Sequence, residues 1–421
     1  MLLATRRALA RTERASVEEL RRYQERRLRA LVAWASARSP FYRRRLREAG
    51  VRPKDLRRLE DLTRLPLLER HHLADHPDEL LAYPRRTVWP ARSSGTSGIP
   101  ITAYRTPGSS IFELAALQRQ WSWFGVRPGA RSAVLRGSQF HVDHPDAVTL
   151  PNPGANQLLV SSYRLTPEHL PAIARDLDRF RPEVVEGWPS SLTLLAGLLR
   201  DAGRTLPVQG VITSSEVMTP GQVALLDQVF QGPIIDHYGQ TERVVMAGGC
   251  ERGGYHVFPE YGICELVAVP GTPDRFEIVG TALHNWGFPL LRYRTGDQVG
   301  PASPEPCPCG RSFPRLGIVD GRVEDMVLSA DGRPVPLPAS VVDDLTGLRE
   351  AQLVQHRPGV FEVRVVPGAG FDPAATERRA RTTLERIAGE GQTMTFTVME
   401  SIPRPPSGKL RPVLVMGAGS R

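Results

Sequence analysis

Ser93-Ser94-Gly95-Thr96-Ser97-Gly98-Ile99-Pro100 sets hydroxyl side chains around two glycines, with no charged residue among them. Small residues let a backbone close around a ligand, and glycine tolerates positive φ. Free N–H groups and hydroxyls can then converge on one point, which suits phosphate oxygens. The same composition also suits a solvated turn. This is not a Walker A loop, which carries Lys after the second Gly and then Ser or Thr. Ile99 and Pro100 stand at those places. A cation that meets phosphates here must come from elsewhere in the chain.

On either side of this stretch the apolar pattern is ordered. Upstream, residues 16–49 predict helix, with Leu20, Leu28, Leu31, Val32 and Ala35 as an apolar stripe that Ser39-Pro40 breaks and restarts. Residues 61–81 predict a second, punctuated helical stretch. Downstream, strands are expected at 101–104, 132–135, 158–160, 184–185, 208–214 and 234–235, and helices at 111–124, 167–180, 192–199 and 220–230. Strands alternating with helices of this length imply an α/β domain with a largely parallel sheet. From Tyr255 onward the strands expected at 263–269, 275–279 and 290–294 follow one another without helices, which predicts a β-rich subdomain. Beyond the turn at Asp320-Gly321-Arg322, strands at 351–355, 361–366 and 393–398 with a helix at 373–387 predict a small α+β domain.

The chain has 421 residues and a net charge of +9, carried almost wholly by arginine. Lys54 and Lys409 are the two lysines. The arginines are interleaved with Asp and Glu along the chain, which speaks against a nucleic-acid surface. No apolar run reaches the ~18 residues that a membrane-spanning helix needs, so no membrane partner is expected. The N-terminus lacks an apolar leader core, and the cytoplasm is the expected compartment. A cytosolic chain does not rely on disulfides, so Cys250, Cys264, Cys307 and Cys309 raise the question of metal.

Four later segments join the Ser/Gly stretch: Tyr238-Gly239-Gln240-Thr241-Glu242, Tyr293-Arg294-Thr295-Gly296-Asp297, Gly321-Arg322-Val323-Glu324-Asp325 and Pro403-Arg404-Pro405-Pro406-Ser407-Gly408-Lys409. Their order and spacing resemble the adenylate-forming (ANL) superfamily of acyl-CoA synthetases, peptide-synthetase adenylation domains and luciferases, from about Ser93 to Lys409. The front end, with Ser39-Pro40-Phe41-Tyr42 and Leu65-Pro66-Leu67, resembles the phenylacetate–CoA ligase group, including the branch associated with capsular polysaccharide biosynthesis. The resemblance implies an α/β fold with a large N-terminal domain at 1–320 and a small mobile α+β C-terminal domain at 326–421, joined by a hinge at 321–325. The large domain would include a helical front end over about 1–85 and the β-rich subdomain over about 250–320.

The implied chemistry has two halves. A carboxylate, aryl or small acyl, attacks the α-phosphate of ATP, giving an acyl-adenylate and pyrophosphate. A thiol, expected to be that of coenzyme A, then takes the acyl group. A carrier protein, an amine or a sugar are the alternative acceptors, and a homodimer is compatible with the group. By resemblance, Ser93, Ser94, Gly95, Thr96, Ser97 and Gly98 would hold the β- and γ-phosphates, and Ser214, Ser215 and Glu216 would line the adenine. Ser214-Ser215-Glu216 also reads as a helix-start turn. Tyr238, followed by Gly239, would lie against the adenine face, although a core tyrosine fits the same residue. Thr241 would contact the α-phosphate and Glu242 would hold Mg²⁺, a hard cation suited to carboxylate oxygen. Asp297 would accept hydrogen bonds from the ribose, and Arg322 would lie near the nucleotide. Lys409 would supply the missing cation, spanning the acid and the α-phosphate as charge builds there. Ile99 stands where the family commonly has a loop Lys.

Cys250 and His256 lie on one side of the β-rich stretch, and Cys307-Pro308-Cys309-Gly310 on the other. Two cysteines one residue apart, followed by Gly, can turn both sulfurs toward one ion. One Cys and one His from a second turn complete a tetrahedral Zn²⁺ site, structural because no position stays open. Four unrelated residues are the alternative. Members of the resembled group show a similar set. Cys264 reads as an ordinary buried strand thiol.

Overall fold

The computed structural model describes the chain except residues 93–100, 136–146, 219, 271, 318, 323–326, 333–334, 336–337, 339, 344, 369, 404–411 and 417–421. It divides into two compact units, Met1–Gly125 with His237–Gly321, and Val126–Asp236 with Arg322–Arg421.

In the first unit, α1 (Leu2–Thr12) precedes α2 (Val17–Arg38). Helix α2 starts at a reciprocal cap. The Ser16 side chain accepts from the Glu19 N–H at 3.2 Å, and the Glu19 carboxylate accepts from the Ser16 N–H at 2.9 Å. The predicted apolar stripe is buried throughout. Ser39 ends α2 and caps α3 (Pro40–Glu48), with Pro40 in the first turn, where its missing N–H costs nothing. The helical pattern expected over 61–81 reduces to a 3₁₀ turn at Leu59–Arg64 and the short α4 (Arg70–Asp75). Pro66, which cannot donate to a helix, separates them. Strands β1 (Trp89–Arg92) and β2 (Thr102–Arg105) pair antiparallel, with Arg92 opposite Thr102. Helix α5 (Pro107–Trp123) begins four residues before its apolar periodicity does, because the Thr106–Ser109 cap supplies a polar first turn.

The second unit opens with β3 (Ser132–Leu135), β4 (Thr149–Asn152), β5 (Gln157–Val160), α6 (Leu170–Phe180), β6 (Val184–Gly187), α7 (Pro189–Asp201), β7 (Gly210–Ser214) and α8 (Pro220–Phe230). These strands lie in the order β7-β6-β3-β5-β4. Strand β3 is parallel to β5 and β6, β6 is parallel to β7, and β4 is an antiparallel edge. All four residues of β3 are buried, as expected of a parallel strand covered on both faces. At the end of β6, Gly187 sits where a Cβ would approach Leu135 Cβ to 3.0 Å.

Strand β8 (Ile234–Gly239) runs through Asp236-His237-Tyr238-Gly239, longer than its apolar start suggests. Its end pairs antiparallel with β9 (Met246–Gly249), and β9 with β10 (Tyr255–Val257). Strands β11 (Gly262–Ala268), β12 (Phe276–Ala282) and β13 (Tyr293–Val299) form the antiparallel β-rich part. The strand expected over 290–294 starts only at Tyr293. Arg292 is left-handed at φ 53° and breaks the chain direction, so Leu290 and Leu291 are core residues outside the sheet. Short strands β14 (Arg315–Leu316) and β15 (Val319–Arg322) follow, β14 beside β10 and β15 beside β13.

The remaining stretch holds α9 (Ser340–Asp343), β16 (Leu348–Arg357), β17 (Val360–Pro367), α10 (Pro373–Ala388), β18 (Thr393–Val398) and β19 (Val413–Val415). Its sheet has the order β18-β17-β16-β19 over a core that includes Leu353, Phe361, Val363 and Leu384. This is the expected α+β pattern.

His284 makes the fold pH-sensitive. It lies against Phe112 at 5.2 Å and Tyr261 at 4.0 Å, with Nδ1 2.9 Å from the Tyr261 carbonyl. Burial lowers its pKa from 6.5 to about 3. The folded chain therefore keeps it neutral while the unfolded chain protonates it. Stability from this group is present above pH 6.5 and is lost as pH falls toward 3, with a limiting slope of about 1.4 kcal/mol per pH unit. In His284→Phe the acid limb of unfolding stability should flatten, read from denaturant melts at stepped pH. An unchanged slope would mean that His284 is already charged when folded.

Candidate functional site

Strand β8 delivers Tyr238 and Gly239, and the chain then turns sharply through Thr241 and Glu242. The turn closes with the Arg243 N–H donating to the Gln240 carbonyl at 3.0 Å, and Arg243 is left-handed at φ 58°. Two contacts to α5 hold Arg243: an ion pair with Glu113, and Nη1 donating to Ser110 Oγ at 3.2 Å. Glu242 is 3% exposed. Its Oε1 accepts from the Tyr293 hydroxyl at 2.7 Å, with Arg70 Nη1 at 3.6 Å. Its Oε2 is buried and has no hydrogen-bond partner among the described residues. An ionised carboxylate oxygen left bare in this way is costly unless a cation meets it, so Glu242 fits the Mg²⁺ role.

Asp297 lies where β13 bulges against β12: Glu277 faces Gln298 but Val279 faces Arg294. Gly296, at φ 76°, lets the strand make that excursion. The Asp297 N–H donates to Thr295 Oγ1 at 3.0 Å, and that hydroxyl donates to the Ile278 carbonyl at 2.8 Å. Asp297 Oδ2 accepts from the Tyr238 hydroxyl at 2.7 Å, and Gln240 Nε2 donates to the same hydroxyl at 2.7 Å. Burial, and then the Asp297 charge, hold the Tyr238 pKa well above its ordinary value, so Tyr238 stays a donor. Strand β13 thus engages both the end of β8, through Asp297, and the turn after it, through Tyr293. Sequence reasoning found Tyr238, Glu242 and Asp297 in their motifs. It gave no role to Tyr293, inside a quoted motif, nor to Arg70, which no motif marks.

In the second unit, Ser214 ends β7, buried, and Ser215 is left-handed at φ 70°. Glu216 accepts from the Ser190 N–H at 2.8 Å and from Ser190 Oγ at 3.1 Å. It therefore caps the N-terminus of α7, where a negative charge is favoured. Glu216 thus serves a helix start, but that of α7 and not that of the following α8. Ser93, Ser94, Gly95, Thr96, Ser97, Gly98, Glu324 and Lys409 lie outside the described residues, and Arg322 is described only as the last residue of β15.

Cys250, His256, Cys307 and Cys309 converge, their ligand atoms all within 4.8 Å of one another. Cys250 Sγ is 3.8 Å from Cys307 Sγ, and Cys309 Sγ is 3.3 Å from His256 Nε2. The His256 Nδ1 faces the Phe313 carbonyl at 3.1 Å, which leaves Nε2 as the lone-pair side. Burial lowers the His256 pKa, favouring the neutral form that binds metal. Backbone N–H groups of Arg252 and Arg311 donate to Cys250 and Cys309 sulfurs at 3.3 and 3.4 Å. Cys264 stands apart on β11, a strand thiol as expected but half-buried rather than buried, its pKa pushed up to about 12 by desolvation.

No protein-family model matches the chain. It is 30% identical to a phenylacetate–coenzyme A ligase of Thermus thermophilus over 440 residues, covering 94% of this chain and 96% of that one. It is 20% identical to the protein CapK of Staphylococcus aureus, covering 92% and 87% respectively. Among solved structures, a 2-hydroxyisobutyryl-CoA ligase in its postadenylation state with R3-HIB-AMP superimposes with a TM-score of 0.76 at 21% identity, over 97% of this chain and 92% of that chain. That likeness shows a shared fold.

Replacing Glu216 by Ala should remove the α7 cap and lower unfolding stability by about 1–2 kcal/mol. Chemical denaturation checks this. A variant as stable as the parent would release Glu216 from a structural role.

Proposed function

The chain belongs to the phenylacetate–coenzyme A ligase family, and from that premise we propose how its residues work. The enzyme activates a carboxylic acid with ATP and transfers the acyl group to coenzyme A. A carboxylate oxygen attacks the α-phosphorus, the bond to the bridging β-phosphate oxygen breaks, and pyrophosphate leaves. The thiol sulfur then attacks the acyl carbon, loses its proton, and AMP departs. The acid is aryl or small acyl, in keeping with the relatives' names. The observation that carries the site reading is the buried Oε2 of Glu242, which has no hydrogen-bond partner among the described residues.

In this reading Ser93 to Gly98 cradle the outer phosphates, Thr241 meets the α-phosphate, and Asp297 takes the ribose hydroxyls. Tyr238 and Gly239, with Ser214, Ser215 and Glu216, line the adenine, and Arg322 lies near the nucleotide. Magnesium, held by Glu242, would neutralise phosphate charge. Lys409 bridges the acid and the α-phosphate as the attack develops. The hinge at 321–325 separates a domain at 1–320 from one at 326–421, whose rotation brings Lys409 in for the first half-reaction.

The products of acid and ATP should be AMP and pyrophosphate; ADP with phosphate would contradict the reading. Lys409→Ala should slow adenylate formation by about 10² to 10³, the usual loss for one such electrostatic contact. Thioester formation from supplied acyl-adenylate should survive. Pyrophosphate release and coupled thioester assays read the two steps separately.

For the Cys/His cluster, the donors favour structural Zn²⁺. Three soft sulfurs and one imidazole fit a closed tetrahedral site, and the His256–Phe313 contact fixes the ligating nitrogen. Protein purified without chelator should contain close to one zinc. Cys309→Ser should lower the melting temperature more than it lowers turnover, and a turnover loss at unchanged melting temperature would assign the cluster to catalysis.

A further inference from the structure

We propose that Tyr293 and Arg70 are positioning residues that fix one oxygen of Glu242 so that the other faces the nucleotide's magnesium. The inference rests on the family reading of Glu242 as a magnesium ligand.

A carboxylate offers two equivalent oxygens and rotates easily about its last bond. Buried, it turns to share the donors around it unless those donors are placed on one side. Here both make their closest approach to Oε1. The Tyr293 hydroxyl donates to Oε1 at 2.7 Å, and Arg70 Nη1 stands 3.6 Å from the same atom. At 3.6 Å the guanidinium is beyond hydrogen-bond range but supplies charge. Among the described residues, nothing donates to Oε2. The turn beneath is also immobilised, since the left-handed Arg243 is tied to Glu113 and Ser110.

The two residues reach Glu242 through one piece of backbone. Leu68 forms a parallel bridge with Tyr293. The Leu68 N–H donates to the Arg292 carbonyl at 2.8 Å, and the Arg294 N–H donates to the Leu68 carbonyl at 2.9 Å. Two residues after Leu68, Arg70 opens α4. The helical front end is thus stitched to the first residue of β13, and the stitch delivers a hydroxyl and a guanidinium to the same carboxylate oxygen. That gives the front end a role in metal binding that its lack of chemical motifs conceals.

The test is the gain in ATP affinity on adding Mg²⁺, measured by calorimetry as the ratio of Kd in EDTA to Kd in excess magnesium. Tyr293→Phe removes only the hydroxyl. It should cut that ratio about tenfold, the scale on which partners of a metal ligand act, and leave metal-free ATP affinity unchanged. Arg70→Gln should lower the ratio in the same direction and Arg70→Lys should restore most of it. Electron paramagnetic resonance of Mn²⁺ in the ATP complex gives a second reading that needs no turnover. Parental ratios in both Tyr293→Phe and Arg70→Gln would overturn the inference while leaving Glu242 as the ligand. A parental enzyme with no magnesium-dependent gain, or a Glu242→Gln variant that keeps it, would instead overturn the family reading of Glu242, and the inference with it.

Discussion

The backbone bridge between Leu68 and Tyr293 is the constraint on which the first unit turns. Its two flanking hydrogen bonds join a helical front end to a β-rich segment that lies more than two hundred residues away in sequence. Arg292, the residue before the bridge, makes the join compact. Its left-handed backbone turns the chain, its N–H donates to Thr281 Oγ1, and its guanidinium pairs with Glu265 and donates to the Leu65 carbonyl. One residue earlier, the Leu291 N–H donates to the buried Tyr42 hydroxyl. Two successive residues, Leu291 and Arg292, are therefore satisfied by partners from α3, β11, β12 and the stretch at 65–68. An unmade bond among such buried groups would cost about 1–3 kcal/mol, so the two segments are held in a single register.

A second buried polar anchor fixes α1. Arg119 on α5 forms a two-point ion pair with Glu260, donates to the Leu9 carbonyl, and lies over the rings of Phe258 and Phe313. Thr12 donates to the same Glu260 carboxylate. Removing one partner would strand the other charge, the costly event for a buried pair. The Cys/His cluster is joined to the same helix by another arginine. Arg311 pairs with Glu13 and with Glu251, and its guanidinium lies 3.9 Å from the Trp123 ring centroid. The N-terminal segment is thus pinned by charge where its own apolar face is too small, Leu9 being its buried residue.

What the sequence made readable follows from range. Strand β3, helix α8 and strand β18 fall on their expected residues because local apolar pattern and flanking Pro or Gly decide them. The motif residues Tyr238, Glu242 and Asp297 were found as positions, and their pairing through Tyr238 and Tyr293 was not, because it needs β8 and β13 in space. Arg70 looked like one more surface arginine among many. Glu216 looked like the start of its own helix and serves another. Helix α1 was missed since its arginines hide a single buried leucine. The β13 boundary was misplaced because Leu290 and Leu291 are as apolar as a strand and are buried for a different reason.

The division of labour between arginine and lysine follows the same logic. The buried or half-buried ion pairs that organise the described residues use guanidinium: Arg119, Arg243, Arg292 and Arg311. Several are met by two carboxylate oxygens or stacked on rings, which a planar fork does well and an ammonium does not. Lys54 is exposed and takes no part in them. A chain that uses arginine for holding structure has its other lysine at 409, in a Pro/Gly-rich stretch unsuited to a core strand. A compact ammonium suits a site where two oxygens close on each other during reaction, because it can follow their motion without a fixed plane. The rarity of lysine, which looks like mere genome composition, is thus the sequence feature behind the role proposed for Lys409.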